Sequence, residues 1–434
     1  MSEKREMGSP PSLPLAASDL GENRASRRAF GAALACFVLA ALTGALLRYG
    51  VLHGLPWGLH YLDVRHAHTH LMYFGWVTPG LFVLIGVVLA RRCGQVLPRA
   101  YHLAVAVALV TGALTYPPFL TSGYGLVDVG PARLPLSMIA SGLVVLTWYA
   151  WALSYVAVSW RLPRDLALLS LDAAVLTLVV ASTGAWGLAA LALAPVAPPL
   201  LMAALVRFYL DLFSNGWFAV ALVGLLAANG VPAANGVPVS GKWLGRSTLV
   251  ALVVGLLATA FGDLLNWPEV MRGAARGLAA AGLALLAWHL LTGARRSRDG
   301  AVALLGALLL GKALVDGALA LPQLAQWSQR SLVQVVLLHA YLLGVVSLAM
   351  VLLALRAFRP AACRAPFWWF AAAVGLMLVS LLPLTTLWPA AWRGPWVLSA
   401  ALWASLPVTL VALALALVMV LVRAPPVETV ARSR

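Results

Sequence analysis

The sequence predicts an all-α protein, a polytopic bundle of about twelve membrane-spanning helices with both termini cytoplasmic. Composition is the first reason: of 434 residues 62% are hydrophobic and 10% charged, with a mean hydropathy of +0.92, so lipid rather than water is the solvent. The second is segment length. Apolar runs of about 20 residues, each able to cross a ~30 Å hydrocarbon core as a helix, recur along the chain between short loops carrying Arg, Pro or Gly. The third is the placement of basic residues, which orients the bundle.

The runs fall at 29–50, 66–90, 101–121, 134–159, 166–191, 201–228, 248–267, 274–293, 300–321, 332–355, 367–388 and 397–422. Uninterrupted apolar runs satisfy their backbone in lipid only as helices, and the ten-residue alternating segments of a β-barrel do not occur in the sequence. Residues 1–28, rich in Ser, Pro, Glu and Arg, read as a flexible cytoplasmic tail; 29–422 form the membrane domain and 423–434 a second cytoplasmic tail. The first run is too long for a signal-peptide core and is expected to stay.

The formal charge is +16, and its distribution excludes nucleic acid as a partner. With the N-terminus inside, 21 of the 30 Lys and Arg residues fall on inner segments, among them Lys4, Arg5, Arg24, Arg91, Arg92, Arg295, Arg296 and Arg298. Seven lie at outer ends (Arg48, Arg65, Arg133, Arg272, Arg276, Arg330 and Arg393), and only Arg207 and Lys312 fall inside spans. That asymmetry is the positive-inside pattern of a bacterial-type inner membrane protein, whereas a nucleic-acid footprint would cluster on one polar domain. Cys36, Cys93 and Cys363 sit within or beside separate spans and form no disulfide framework. The repeat Asn229-Gly-Val-Pro and Asn235-Gly-Val-Pro reads as a connector, and Trp57, Trp217, Trp267, Trp327 and Trp388 as interfacial belt residues.

Ionisable side chains inside a membrane are expensive and mark candidate sites. The densest group opens the second span, in Arg65-His66-Ala67-His68-Thr69-His70-Leu71-Met72. At ~100° per residue His66 and His70 share a helix face and His68 points nearly the opposite way, so one or two of the three imidazoles face a cofactor. His339, in the tenth span, stands alone about seven residues below the outer end, ~10 Å deep at 1.5 Å per residue, and the two sites match in depth. Facing imidazoles at matched depth suit axial ligation of a haem in an apolar slot. The plain alternative for His339 is a hydrogen bond between helices.

Twelve spans, histidines opening the second and a histidine in the tenth resemble subunit I of haem-copper oxidases and their nitric-oxide reductase relatives. The run His68-Thr-His70-Leu-Met72-Tyr-Phe-Gly75 is also similar to the start of NnrS-type haem and copper membrane proteins. The resemblance implies a low-spin, b-type haem held by His66, His68 or His70 and by His339; the shared face favours His66 or His70. Arg65 and Arg207 become candidates for haem propionates, with snorkelling to headgroups as the alternative. The sequence departs from the oxidase pattern where the oxygen-reducing centre would lie. Leu337 stands at the position of the high-spin haem ligand, and spans six and seven contain no histidine. Asp211 and Asn215, one turn apart, then become candidates for a harder second metal.

Lys312 and Asp316, at i and i+4 in the ninth span, pair either to neutralise each other or as part of a proton or ion relay that includes Asp263, with Asp172 and Asp211 as further stations. Three functions remain open: a haem-binding electron-transfer or NO/O2-related protein without the usual copper site; a divergent active oxidase or nitric-oxide reductase; and a transporter of metal, haem or a small solute. Each is compatible with a redox partner or second subunit.

Overall fold

The computed structural model describes residues 17–194, 196, 198–229, 242–359 and 362–421. It is a bundle of twelve apolar helices long enough to cross a membrane. Spans 1 to 6 are Arg24–His53, Tyr61–Cys93, Arg99–Ser122, Leu136–Ser159, Leu166–Ala192 and Pro199–Ala228. Spans 7 to 12 are Gly245–Leu264, Glu269–Arg296, Gly300–Ala318, Val333–Phe358, Arg364–Leu384 and Trp396–Leu421. The protein is therefore a multi-pass membrane protein in a lipid bilayer, with helix ends within a few residues of those expected. Two strands, β1 (Val127–Val129) and β2 (Ala132–Leu134), form a small hairpin between spans 3 and 4.

Helix starts before the expected end of the first tail: span 1 continues a helix that begins at Ala17, so residues 17–28 are helical. Ser and Asp near the start favour a helix N-terminus, and polar helix extends readily beyond the lipid. Residues 1–16, both Asn-Gly-Val-Pro motifs apart from Asn229, and the 423–434 tail lie outside the described residues. The loops at 94–98, 160–165 and 297–299 mark one end of the bundle, here the basic end; His66, His68, His70 and His339 lie toward the other, the histidine end. At the basic end Asp165 caps span 5 by accepting from Leu168 N–H and pairs with Arg92 at 2.8 Å. Desolvation opposes its ionisation, but the Arg92 hydrogen bond and the helix N–H groups outweigh that and hold the carboxyl below its ordinary range.

Spans 2, 6 and 10 are the centre. They are the most buried, at 94%, 72% and 67% over their apolar windows, against 56% or less for the rest, and each packs on the other two. All three also widen to π-helix in the middle, at Leu71–Val77, Asp211–Phe218 and Ala340–Ser347. The three segments align on Gly75, Gly216 and Gly344, four spans apart, so the chain is three four-span units around an inner triad.

Hydrogen bonds tie the triad into a ring. Trp76, just after its glycine in span 2, donates through Nε1 to Ser347 Oγ of span 10 at 3.0 Å. Trp217, at the same place in span 6, donates to Thr78 Oγ1 of span 2 at 3.3 Å. Thr78 and Ser347 are themselves equivalent, each three residues past the glycine. The third link by this rule would run from Val345 to Ala219, and both are apolar. Instead the Tyr341 hydroxyl of span 10 donates to the Ser214 carbonyl of span 6 at 2.5 Å. Trp217 is thus fully buried and no belt residue: its indole N–H is satisfied inside the bundle, which an interfacial position would leave to water.

Nine outer spans fill the three gaps of the triad in chain order. Between spans 2 and 6 the gap is plugged by rings: Phe82 stacks on Trp151 at 3.8 Å and Trp148 on Phe213 at 4.9 Å. The gap between spans 6 and 10 holds charged residues, and that between spans 10 and 2 holds histidines.

Close helix contact depends on small residues where no side chain fits. Gly112 of span 3 sits against the Phe74 carbonyl of span 2, with no room for a Cβ, whereas Gly277 of span 8 has nothing within 4 Å of one. Gly112→Ala is expected to destabilise the bundle by about 1–3 kcal/mol through overpacking, and Gly277→Ala to be neutral or stabilising by up to about 1 kcal/mol. Thermal unfolding of both variants in detergent checks the contrast.

Candidate functional site

Span 2 begins at Tyr61, so His66, His68 and His70 are all within the helix rather than at its mouth. Their directions follow the helical phase. His66 and His70 share a face, with ring centroids 6.4 Å apart, and that face looks at the end of span 3 and the hairpin loop. His70 stacks on Phe119 at 3.7 Å, and Tyr124 lies 4.8 Å from His66. Both His70 nitrogens are engaged: Nδ1–H donates to the His66 carbonyl at 2.9 Å, which leaves Nε2 to accept from the Tyr124 hydroxyl at 3.3 Å. Burial pushes the Tyr124 phenol up to about 12, so it stays a neutral donor at physiological pH.

His68 faces the other way, toward span 1. Its Nδ1 is 2.7 Å from the Ala40 carbonyl, and a carbonyl only accepts, so Nδ1 carries the proton and the neutral ring presents an unprotonated Nε2. Span 1 receives the ring at Gly44, where a Cβ would stand 3.1 Å from His68 Cε1. One turn further along, Arg48 donates to the Gly44 carbonyl at 3.1 Å. His339, six residues into span 10, is built alike: Nδ1 is 2.7 Å from the Val335 carbonyl, which again leaves Nε2 unprotonated. No hydrogen bond from either Nε2 is present among the described residues.

Of the three span 2 histidines, His68 is the one that interacts electrostatically with His339. His68 and His339 are within electrostatic reach of each other, and Arg48 of both. Both are half-buried. They sit at matched depth, seven and six residues into their helices, about 10 Å. The face expected to look inward, that of His66 and His70, is turned toward span 3 instead. Span 2 packs on span 1 through the opposite face, because Gly44 leaves space for an imidazole there. Arg65 and Arg207 are exposed, away from this pair. Arg48 is the residue sequence reasoning missed; the signal was its spacing of four from Gly44 within an apolar run.

The pair fits an axially ligated haem in three respects. Each imidazole is fixed through Nδ1–H to a backbone carbonyl, the usual outer contact of a ligating histidine. Each leaves Nε2 free, and one small residue makes room beside the ring. Arg48 adds a cation suited to an anionic substituent.

The second gap collects the charged residues expected to form a relay. Asp263, with 3% of its side chain exposed, accepts from Arg276 at 2.7 Å and from Arg272 at 3.3 Å. Lys312 pairs with Asp316 at 2.5 Å and lies 4.4 Å from the centre of the Tyr341 ring. Asp211 is within electrostatic reach of Asp263, Arg276, Lys312 and Asp316. Neither its carboxyl nor the Asn215 amide has a hydrogen-bond partner among the described residues. Asp172 is elsewhere, held by Arg164 at 2.8 Å and Tyr155 at 2.7 Å between spans 4 and 5. No three His, Cys, Asp or Glu side chains are arranged to hold a metal ion among the described residues, and Arg276 and Lys312 oppose a cation beside Asp211.

No family model matches the chain, and no curated protein matches it.

A carboxylate buried between two arginines is most sensitive to losing its own charge. Asp263→Asn is expected to destabilise the protein by about 1–3 kcal/mol, because the buried carboxylate charge that half-buried Arg272 and Arg276 share is lost. Arg133→Gln, which breaks the exposed pair with Asp128, is expected to change stability by less than about 0.5 kcal/mol. Chemical or thermal unfolding of the two variants measures the difference.

Proposed function

We propose that the chain is a haem-binding electron-transfer protein of the bacterial inner membrane, with cytoplasmic termini and an architecture resembling subunit I of haem-copper oxidases. One observation carries it: His68 of span 2 and His339 of span 10, at one depth, each have Nδ1–H tied to a backbone carbonyl and Nε2 free. On this reading His68 and His339, rather than His66 or His70, are the axial ligands. A b-type haem with both axial positions filled supplies one-electron transfer without an open site for a gas. The protein's part is to hold both rings in one tautomer, to admit His68 beside Gly44 and to place Arg48 against negative charge. A redox partner or second subunit would deliver the electron. Span 6 lacks histidine and Arg276 and Lys312 flank Asp211, which disfavours a second metal and hence a divergent oxidase or reductase.

The charge cluster favours one additional reading: Asp211, Asp263, Lys312 and Asp316 form a proton relay in the second gap. Among the described residues Asp211 has no hydrogen-bonded partner while lying within reach of four charged groups, which suits a carboxyl that gains and loses a proton.

Oxidised and dithionite-reduced optical spectra of protein purified from haem-replete cells test the first reading. Wild type is expected to show a low-spin b-type spectrum at one haem per chain, lost in His68→Ala and in His339→Ala and kept in His66→Ala and His70→Ala. A colourless wild-type protein refutes it and leaves transport as the leading function; loss with His70→Ala alone returns the ligand to the other face. For the relay, the reduction potential is expected to fall with pH by up to about 59 mV per unit, the value for one proton per electron, and to become pH-independent in Asp211→Asn. An unchanged slope in that variant sinks the relay without touching the haem.

A further inference from the structure

At the basic end, away from the histidines and the charge cluster, a cavity of about 500 Å³ opens where the loop between spans 8 and 9, the end of span 10 and the start of span 11 meet. Arg298, Arg356 and Arg364 line it against a single acid, Asp299. Arg356 and Asp299 neutralise each other at 2.5 Å. Arg298 and Arg364 are exposed and have neither an ion pair nor a side-chain hydrogen bond among the described residues. Arg298 is held in the left-handed region, at φ 54°, a conformation disfavoured for a residue with a Cβ. Two helix starts also face the cavity. Gly300 and Ala301 open span 9; Arg364 opens span 11, whose first turn receives no side-chain cap. The start of span 11 adds partial positive charge and N–H donors, whereas Asp299 caps span 9 by accepting from Val302 N–H at 3.2 Å.

A concave site with two spare guanidinium groups and one uncapped helix N-terminus takes an oxyanion such as a phosphate diester. Its position identifies the source. The cavity lies where the spans end, at headgroup level in a bilayer, and beside it Trp368 and Trp369 at the start of span 11 are 47% and 70% exposed. Aromatic side chains at that level are membrane-interface anchors, and Phe367, buried, lies against the cavity. We propose that this cavity binds the headgroup of an anionic phospholipid, with the phosphate on Arg298 and Arg364 and the acyl chains along the Trp368 side. The charge excess of three arginines over one aspartate selects anionic over zwitterionic lipid.

Native mass spectrometry of detergent-purified protein titrated separately with phosphatidylglycerol, phosphatidylcholine and inorganic phosphate tests it. Wild type is expected to retain one phosphatidylglycerol per chain at least about tenfold more tightly than phosphatidylcholine, and the Arg298→Gln/Arg364→Gln variant to lose that preference. Arg393→Gln, at the opposite end, is expected to keep it. Equal retention of both lipids by wild type, or an unchanged preference in the double variant, overturns the proposal. Phosphate binding that displaces phosphatidylglycerol at equal concentration overturns the lipid assignment in favour of a soluble anion. Should the double variant not fold, crosslinking wild type with a phosphatidylglycerol carrying a photoreactive headgroup decides the matter. Label on residues 297–301 or 363–368 supports the site, and label confined to other segments rejects it. None of these readouts depends on haem.

Discussion

Three hydrogen bonds close the inner triad, and the rest of the molecule is arranged around them. Trp76 to Ser347, Trp217 to Thr78 and Tyr341 to the Ser214 carbonyl join spans 2, 6 and 10 in pairs. In a bilayer the hydrophobic effect does not favour one helix neighbour over lipid, so polar contacts and close packing decide which helices touch. An unpaired indole N–H or hydroxyl at this depth is costly, so each bond both stabilises the pair and fixes its rotation. Once the triad is set, three gaps exist, and the nine remaining spans fill them in chain order.

The gaps differ in chemistry because the same positions of the three central helices carry different side chains. Five residues before each glycine stand His70, Asp211 and His339; the widened π segments begin at or just after them. A π turn shifts helical phase, so side chains before and after it address different neighbours. Upstream residues line the gaps, and downstream residues lock the triad. That separation lets His70 join the rings of the first gap, Asp211 the charged groups of the second and His339 the third gap within one framework.

Much of this was legible in the sequence. Span number and position follow from run length and lipid thickness, and the depth match between the span 2 cluster and His339 from residue counting. The pairing of Lys312 with Asp316 was visible at i and i+4. What escaped was anything that depends on helix rotation about its own axis. His66 and His70 share a face as expected, but which face meets span 1 is set by Gly44 and the triad bonds, across distances no local pattern records. The three-unit organisation was present in Gly75-Trp76 and Gly216-Trp217, yet in the third unit the tryptophan is Val345, and the similarity drops below what the eye detects. Trp217 resembled a belt residue for the same reason: burial of an aromatic ring is a property of neighbours, not of composition.

Tyr341 belongs to two systems at once. Its hydroxyl closes the ring of central helices, while its aromatic face lies against the Lys312 ammonium. The other two ring bonds come from tryptophans surrounded by apolar side chains and are indifferent to charge. A bundle in which one of three latches rests on a cation has a built-in asymmetry of rigidity. Neutralising or displacing that cation loosens the seam between spans 6 and 10 first, leaving the seams of span 2, and the histidine beside span 1, in place.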